Sequence, residues 1–179
     1  MNKIIFRLCL FGAILAIVVG TLLHFVYDRS GNNLIVGFFA PVNESPWEHM
    51  KLAFVPILLF GIIDWFYLKG KATNYLLALS VQLFTPIIFI LIFFYLYTSI
   101  FGHPILFLDI SSFIIGVVFA KWLGYKILIK DRDFSYSDII CGILILGLTF
   151  FFIIATLNPP RLNPFLDPVT NTYGVHQLK

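Results

Sequence analysis

Residues 75–101, "YLLALSVQLFTPIIFILIFFYLYTSIF", carry no charged side chain. They are long enough to cross a hydrocarbon core, which takes about 20 apolar residues of helix. Four further stretches reach or approach that length: Leu8 to Tyr27, Leu52 to Leu68, Ile105 to Leu123 and Ile139 to Leu157. The 179 residues are 60% hydrophobic and 12% charged and include 21 Phe, too apolar a composition for a soluble domain of this size. The reading is an all-α integral membrane bundle of five transmembrane helices over residues 1–157, followed by a Pro/Asn-rich tail over 158–179. Lys3 and Arg7 precede the first apolar run as they would in a secretory leader, but the run is long and no small-x-small cleavage site follows, so it is read as a helix.

Lys3, Arg7, Lys69, Lys71, Lys121, Lys126, Lys130 and Arg132 fall at the N-terminus and in the second and fourth loops, whereas Arg29, Lys51, Arg161 and Lys179 occupy the alternate loops and the tail. Positive residues in short loops mark the cytoplasm, which predicts the N-terminus inside, the tail outside and a multi-pass protein of the plasma membrane. Cys9 and Cys141 then lie near reducing inner ends and read as packing residues. The net charge of +3 is spread over short loops rather than gathered in a stripe, so the partner it implies is the lipid bilayer and not nucleic acid.

On this topology His24, His49, His103 and His176 all fall at outer ends, together with Asp28, Glu44, Glu48, Asp109 and Asp167. His24 and Asp28, four residues apart, would share a helical face about 6 Å apart. The same face continues through Gly20, Ala16 and Ala13, a small-residue stripe suited to close packing in a bilayer. Pro104 suits a first helical position, and Asp109, Ser112 and Gly116 then share one face, with Asp109 roughly 8 Å below the helix start. A carboxylate at that depth requires a cavity or a partner.

The most polar segment is "PVNESPWEHMK", residues 41–51. "SPWE" reads as a helix start, with Ser45 as N-cap, Pro46 at the first position and Glu48 reaching back to the N–H of the cap. Trp47 fits the interfacial aromatic belt and Lys51 would snorkel outward. Asn43, Glu44 and His49 are left without a capping role. Upstream, the apolar residues from Leu34 to Val42 are too few to span and should cover the outer face.

Asp64 lies about a turn from the inner end of its helix, where Lys69, Lys71 or Lys126 would pair with it. Ser80, Gln82 and Pro86 read as interhelical hydrogen bonding with a proline kink. The tail "NPPRLNPFLDPVTNTYGVHQLK" cannot form a long helix, and a solvated tail is its default. Phe165, Leu166 and Tyr173 nonetheless give it apolar groups with which to dock and bring Asp167 or His176 over the outer face. No nucleotide loop, CxxC, GxSxG or HExxH pattern and no internal repeat is evident.

The combination "HFVYDRSGNN", "PVNESPWEHMK" and "NPPRLNPFLDPVTNTYG" resembles a family of small multi-pass bacterial membrane proteins known only as a domain of unknown function. That resemblance implies the architecture and carries no activity. The gathering of His, Asp and Ser at one end of a bundle is also similar to intramembrane hydrolases of the alkaline ceramidase and adiponectin-receptor type, although those have seven helices and a His-x-x-x-His pair.

Three functions are compatible with the pattern. The favoured one is a structural, sensory or accessory role, with the outer polar cluster as a hydrogen-bonded cap. The first alternative is a metal-dependent hydrolase: His24, His49 and His103 would bind a divalent metal such as zinc, Asp28 or Asp109 would complete the set, and Glu44 or Glu48 would be the general base. A lipid, lipid-linked or other small molecule at the outer face would be its ligand. The second alternative is a small ion-coupled transporter using Asp64 and Asp109.

Overall fold

The computed structural model describes residues 2–130 and 137–175; His176, Lys179 and the loop residues Asp131, Arg132 and Asp133 lie outside them. The chain forms α1 (Asn2–Leu23), α2 (Val26–Arg29), α3 (Leu34–Gly37), α4 (Pro46–His49), α5 (Lys51–Leu68), α6 (Tyr75–Phe101), α7 (Leu106–Leu128) and α8 (Asp138–Leu157), then a 3₁₀ turn at Asn163–Phe165. Among the described residues five helices are long and apolar enough to cross a membrane, with α4 and α5 running on as a single span from Pro46 to Leu68. The protein is a multi-pass helical membrane protein.

Four of the spans close a ring in which α1 packs on α5 and α7, α5 on α6, and α6 on α7, while α8 lies against the outside of α6. With no water to drive helices together in lipid, close approach depends on small residues. Gly20 meets α5 so tightly that a Cβ there would lie 2.2 Å from the Leu52 carbonyl oxygen. Ala13 and Ala16 continue the contact, as the small-residue stripe predicts. On α7, Ser112 and Gly116 face inward, Gly116 against Pro86 of α6.

Two helix boundaries differ from expectation. The first span stops at Leu23, and His24 and Phe25 form a turn before α2, so Asp28 stands exposed on a separate short helix rather than one turn along from His24. Helix α7 begins at Leu106 with Ile105 as its cap, which leaves Asp109 in the first turn, about 4.5 Å inside rather than 8 Å.

The polar segment shapes one end of the bundle. Ser45 caps α4 by accepting from Glu48 N, but the N–H of Ser45 goes to Asn43 Oδ1, so Glu48 does not close the capping box. Its Oε2 instead accepts from Val42 N at 3.0 Å and from Lys51 Nζ at 2.6 Å. Lys51 does not snorkel; it is fully buried and also donates to the Gly37 carbonyl and to Thr156 Oγ1 of α8. Its three N–H groups thus have three good acceptors. Trp47 is buried within the protein, stacked on Phe152 of α8 with centroids 4.7 Å apart and against Phe165 at 4.9 Å.

The residues after Leu157 dock rather than trail in solvent. Phe165 inserts against Trp47, Gly174 O accepts from Asn43 Nδ2 at 3.0 Å, and Val175 N reaches Thr156 O. Asp167 is buried and holds the tail's own turn by accepting from Val169 N and Thr170 Oγ1.

Candidate metal centre

Three polar side chains converge at this end from three separate segments. His24 comes from the turn after α1, Glu44 from the loop before α4, and His49 from the last residue of α4. One ring nitrogen of each histidine and one carboxylate oxygen of Glu44 all lie within 4.8 Å of one another. The two imidazole centroids are 5.1 Å apart with their planes at 40°. His49 Nε2 lies 3.3 Å from Glu44 Oε2.

The surroundings orient these groups. Glu44 is fixed because its neighbours on both sides are tethered, Val42 by the buried Glu48 and Ser45 by Asn43. His49 Nδ1 is 3.0 Å from the Ser45 carbonyl, which can only accept, so Nδ1 carries a proton and Nε2 is the nitrogen presented to Glu44. A backbone carbonyl behind the distal nitrogen is the arrangement that aims a metal-binding histidine. His24 Nδ1 is buried and has no hydrogen-bond partner, an unsatisfied polar atom on one of the three residues of the group. The hydrogen bond with His49 holds the Glu44 carboxyl below the ordinary glutamate range, against partial burial that acts in the opposite direction.

The other expected site residues are placed elsewhere. His103 is exposed in the loop between α6 and α7, its Nδ1 on the Pro104 carbonyl, and stands outside the group. Asp28 is exposed on α2 and is likewise outside it. Asp109 accepts from the Tyr97 hydroxyl and joins α6 to α7, although its charge is felt at His49. Glu48 is held on both oxygens, by Lys51 and Val42 on one and by Thr156 on the other, with no face open to solvent. Asn43 shapes the loop and ties down the tail.

At the opposite end Asp64 faces Lys121 of α7 rather than Lys69 or Lys126, which instead lie over the rings of Trp65 and Trp122. The sequence reading counted Lys121 among the loop cations, whereas it lies inside α7 and is buried. Its signal was the spacing Val117, Lys121, Gly124 and Leu128, one buried stripe on α7.

A five-span helical membrane protein with a His/His/Glu cluster able to coordinate a metal ion is the class these features define. Residues 4–175 match DUF6512, a family of unknown function, and the chain belongs to that family. No curated protein and no solved structure matches it.

Proposed function

We propose that His24, Glu44 and His49 bind a divalent metal, and that the protein is a metal-dependent membrane enzyme hydrolysing a lipid or lipid-linked substrate at the membrane surface. The observation that carries this reading is the convergence of two imidazoles and a carboxylate whose ligand atoms lie within 4.8 Å of one another, on a His24 whose buried Nδ1 has no hydrogen-bond partner. Two ligands of one tetrahedral zinc ion, each about 2.0–2.1 Å from it, stand about 3.4 Å apart. The 3.3 Å between His49 Nε2 and Glu44 Oε2 matches this, and His24 needs to close in by at most about 1.4 Å. That spacing favours Glu44 as third ligand rather than general base.

A His₂Glu set leaves a fourth position for water, and a bound divalent metal would supply a nucleophile by lowering the pKa of that water to about 7. Glu44 keeps 51% of its side-chain surface exposed, so the site is open to solvent. Leu22 and Phe25 flank His24 on the apolar surface and place a lipid headgroup within reach. The concentration of Lys and Arg at the other end supports, by the positive-inside rule, a site on the outer side of the plasma membrane.

Metal analysis of detergent-purified protein after dialysis against zinc tests the site. The expected result is close to one zinc per chain, lost in both His24→Ala and His49→Ala. Equal metal content in wild type and the two variants would overturn it. The network of Glu48, Lys51 and Thr156 favours a structural cap as a second reading for this end of the bundle. A cap predicts that His49→Ala lowers the melting temperature as much in zinc-free buffer as with zinc, whereas a metal site predicts that most of the loss appears only in the presence of zinc.

A further inference from the structure

A hydrolytic site needs a base for its water as well as a metal, and the ligand role of Glu44 leaves that part unfilled. Among the carboxylates at this end of the bundle, Glu48 is closed in on both oxygens, and Asp167 uses both of its own to hold the turn of the tail. Asp28 is exposed on α2. Asp109 differs from all three. Its Oδ1 accepts from the Tyr97 hydroxyl, which is itself fixed by accepting from Ile105 N at 3.2 Å. Its Oδ2 accepts no hydrogen bond among the described residues and is not buried.

Helix register brings Asp109 to the cluster. The packed helices α1 and α7 run antiparallel, for Gly12 faces Lys121, and Gly20, eight residues on, faces Phe113, eight residues back. A further step of four on each, about one turn and 6 Å along the same two faces, leads from Gly20 to His24 just past the end of α1 and from Phe113 to Asp109. The charge of Asp109 also reaches His49. Asp109 stands outside the group whose ligand atoms lie within 4.8 Å of one another, as a base separated from the metal by one water must. We propose that Asp109 is the general base of the reaction at His24, Glu44 and His49, with Tyr97 as its positioning residue. The role rests on the metal-enzyme reading above. For an acyl ester, Asp109 takes a proton from the attacking water as the water oxygen bonds to the acyl carbon. It returns that proton to the alcohol oxygen as the ester C–O bond breaks, so that ester and water become acid and alcohol.

Hydrolysis of 4-nitrophenyl laurate, an activated ester whose chain stays in the micelle, by the zinc-loaded full chain in detergent tests the role. Wild type should turn it over, and Asp109→Asn should lower kcat about 100-fold or more with KM and zinc content unchanged. The amide oxygen of the asparagine still accepts from Tyr97, so the variant removes the free carboxylate oxygen without releasing the contact between α6 and α7. Asp28→Asn should turn over as wild type does. Azide binding to the cobalt-substituted protein, followed by visible absorption, reads the same carboxylate without turnover. Azide should bind severalfold more tightly to Asp109→Asn, which no longer repels an anion at the open position. Absence of bound zinc or of turnover in wild type overturns the metal-enzyme reading and this proposal with it. With wild type loaded and active, undiminished turnover by Asp109→Asn, an equal fall in Asp28→Asn, unchanged azide affinity or loss of zinc from Asp109→Asn overturns this proposal alone.

Discussion

Lys51 and Lys121 are both buried in membrane-spanning helices, at opposite ends of the same bundle, and their surroundings differ in every other respect. Lys51 gives each of its N–H groups to an acceptor and touches the carboxylate of Glu48 at 2.6 Å. Lys121 makes no hydrogen bond among the described residues and faces the carboxylate of Asp64 from beyond contact distance. Burial alone therefore does not say what a lysine does in the bundle; its partners do. A saturated ammonium joins segments together.

The strongest test of that contrast is to remove each lysine in turn. Lys51→Met leaves Glu48 buried and unpaired, a change that costs about 3–5 kcal/mol in comparable buried pairs. A large fall in melting temperature in detergent is expected, with most of it restored in the double variant Glu48→Leu/Lys51→Met. If Lys51→Met melts with wild type, the network does not hold α5, α8 and the Gly37–Val42 loop together.

The next effect in size is at the histidine cluster beside that network. Zinc at about 100 times its dissociation constant should raise stability by about 2.7 kcal/mol, because it binds the folded state alone. The rise in melting temperature should appear in wild type, vanish with a chelator and be absent from His49→Ala. A zinc-induced shift that persists in His49→Ala would place the metal elsewhere.

Lys121→Met should lower stability by less than Lys51→Met does, since Asp64 faces Lys121 from beyond contact distance whereas Glu48 loses a directly bonded cation. A loss as large as that of Lys51→Met would show that Lys121 is a structural member of the bundle and would erase the distinction between the two.

How much of this could be read beforehand depends on sequence distance. The span Tyr75–Phe101 has the same bounds in sequence and structure, because a continuous apolar run in lipid has only one economical conformation. Gly20, Ala16 and Ala13 announced their packing face through helical spacing alone. The gathering of histidines at one end was also visible, and His24, Glu44 and His49 were among the residues it picked out. The partners of Lys51 were not visible, since Gly37 is 14 residues away and Thr156 is 105. Nothing local distinguishes an interfacial lysine from one that a returning loop and a fifth helix will enclose. The cover over Trp47 was hidden for the same reason, its ring being packed against Phe152 and a tail whose docking residues follow it by more than a hundred positions.

The smallest expected effect concerns the contact between Glu44 and His49. The carboxyl of Glu44 is held below the ordinary glutamate range in the folded state, chiefly by its hydrogen bond with His49, so the unfolded chain takes up a proton at a higher pH than the folded one. The stabilisation is thus fully present above the ordinary glutamate value and disappears as pH falls through the depressed one. With half of its side chain in solvent the contact is screened, and its contribution should stay below about 1 kcal/mol. Melting of wild type and Glu44→Gln in chelator should differ slightly near neutral pH and converge in acid, with the difference shrinking in high salt. The metal reading sharpens this small effect, because a metal takes the place of the proton between His49 Nε2 and Glu44, and its binding must weaken as pH falls. If zinc affinity is flat across the range in which imidazoles titrate, the ion is not held by His24 and His49, whatever its stoichiometry.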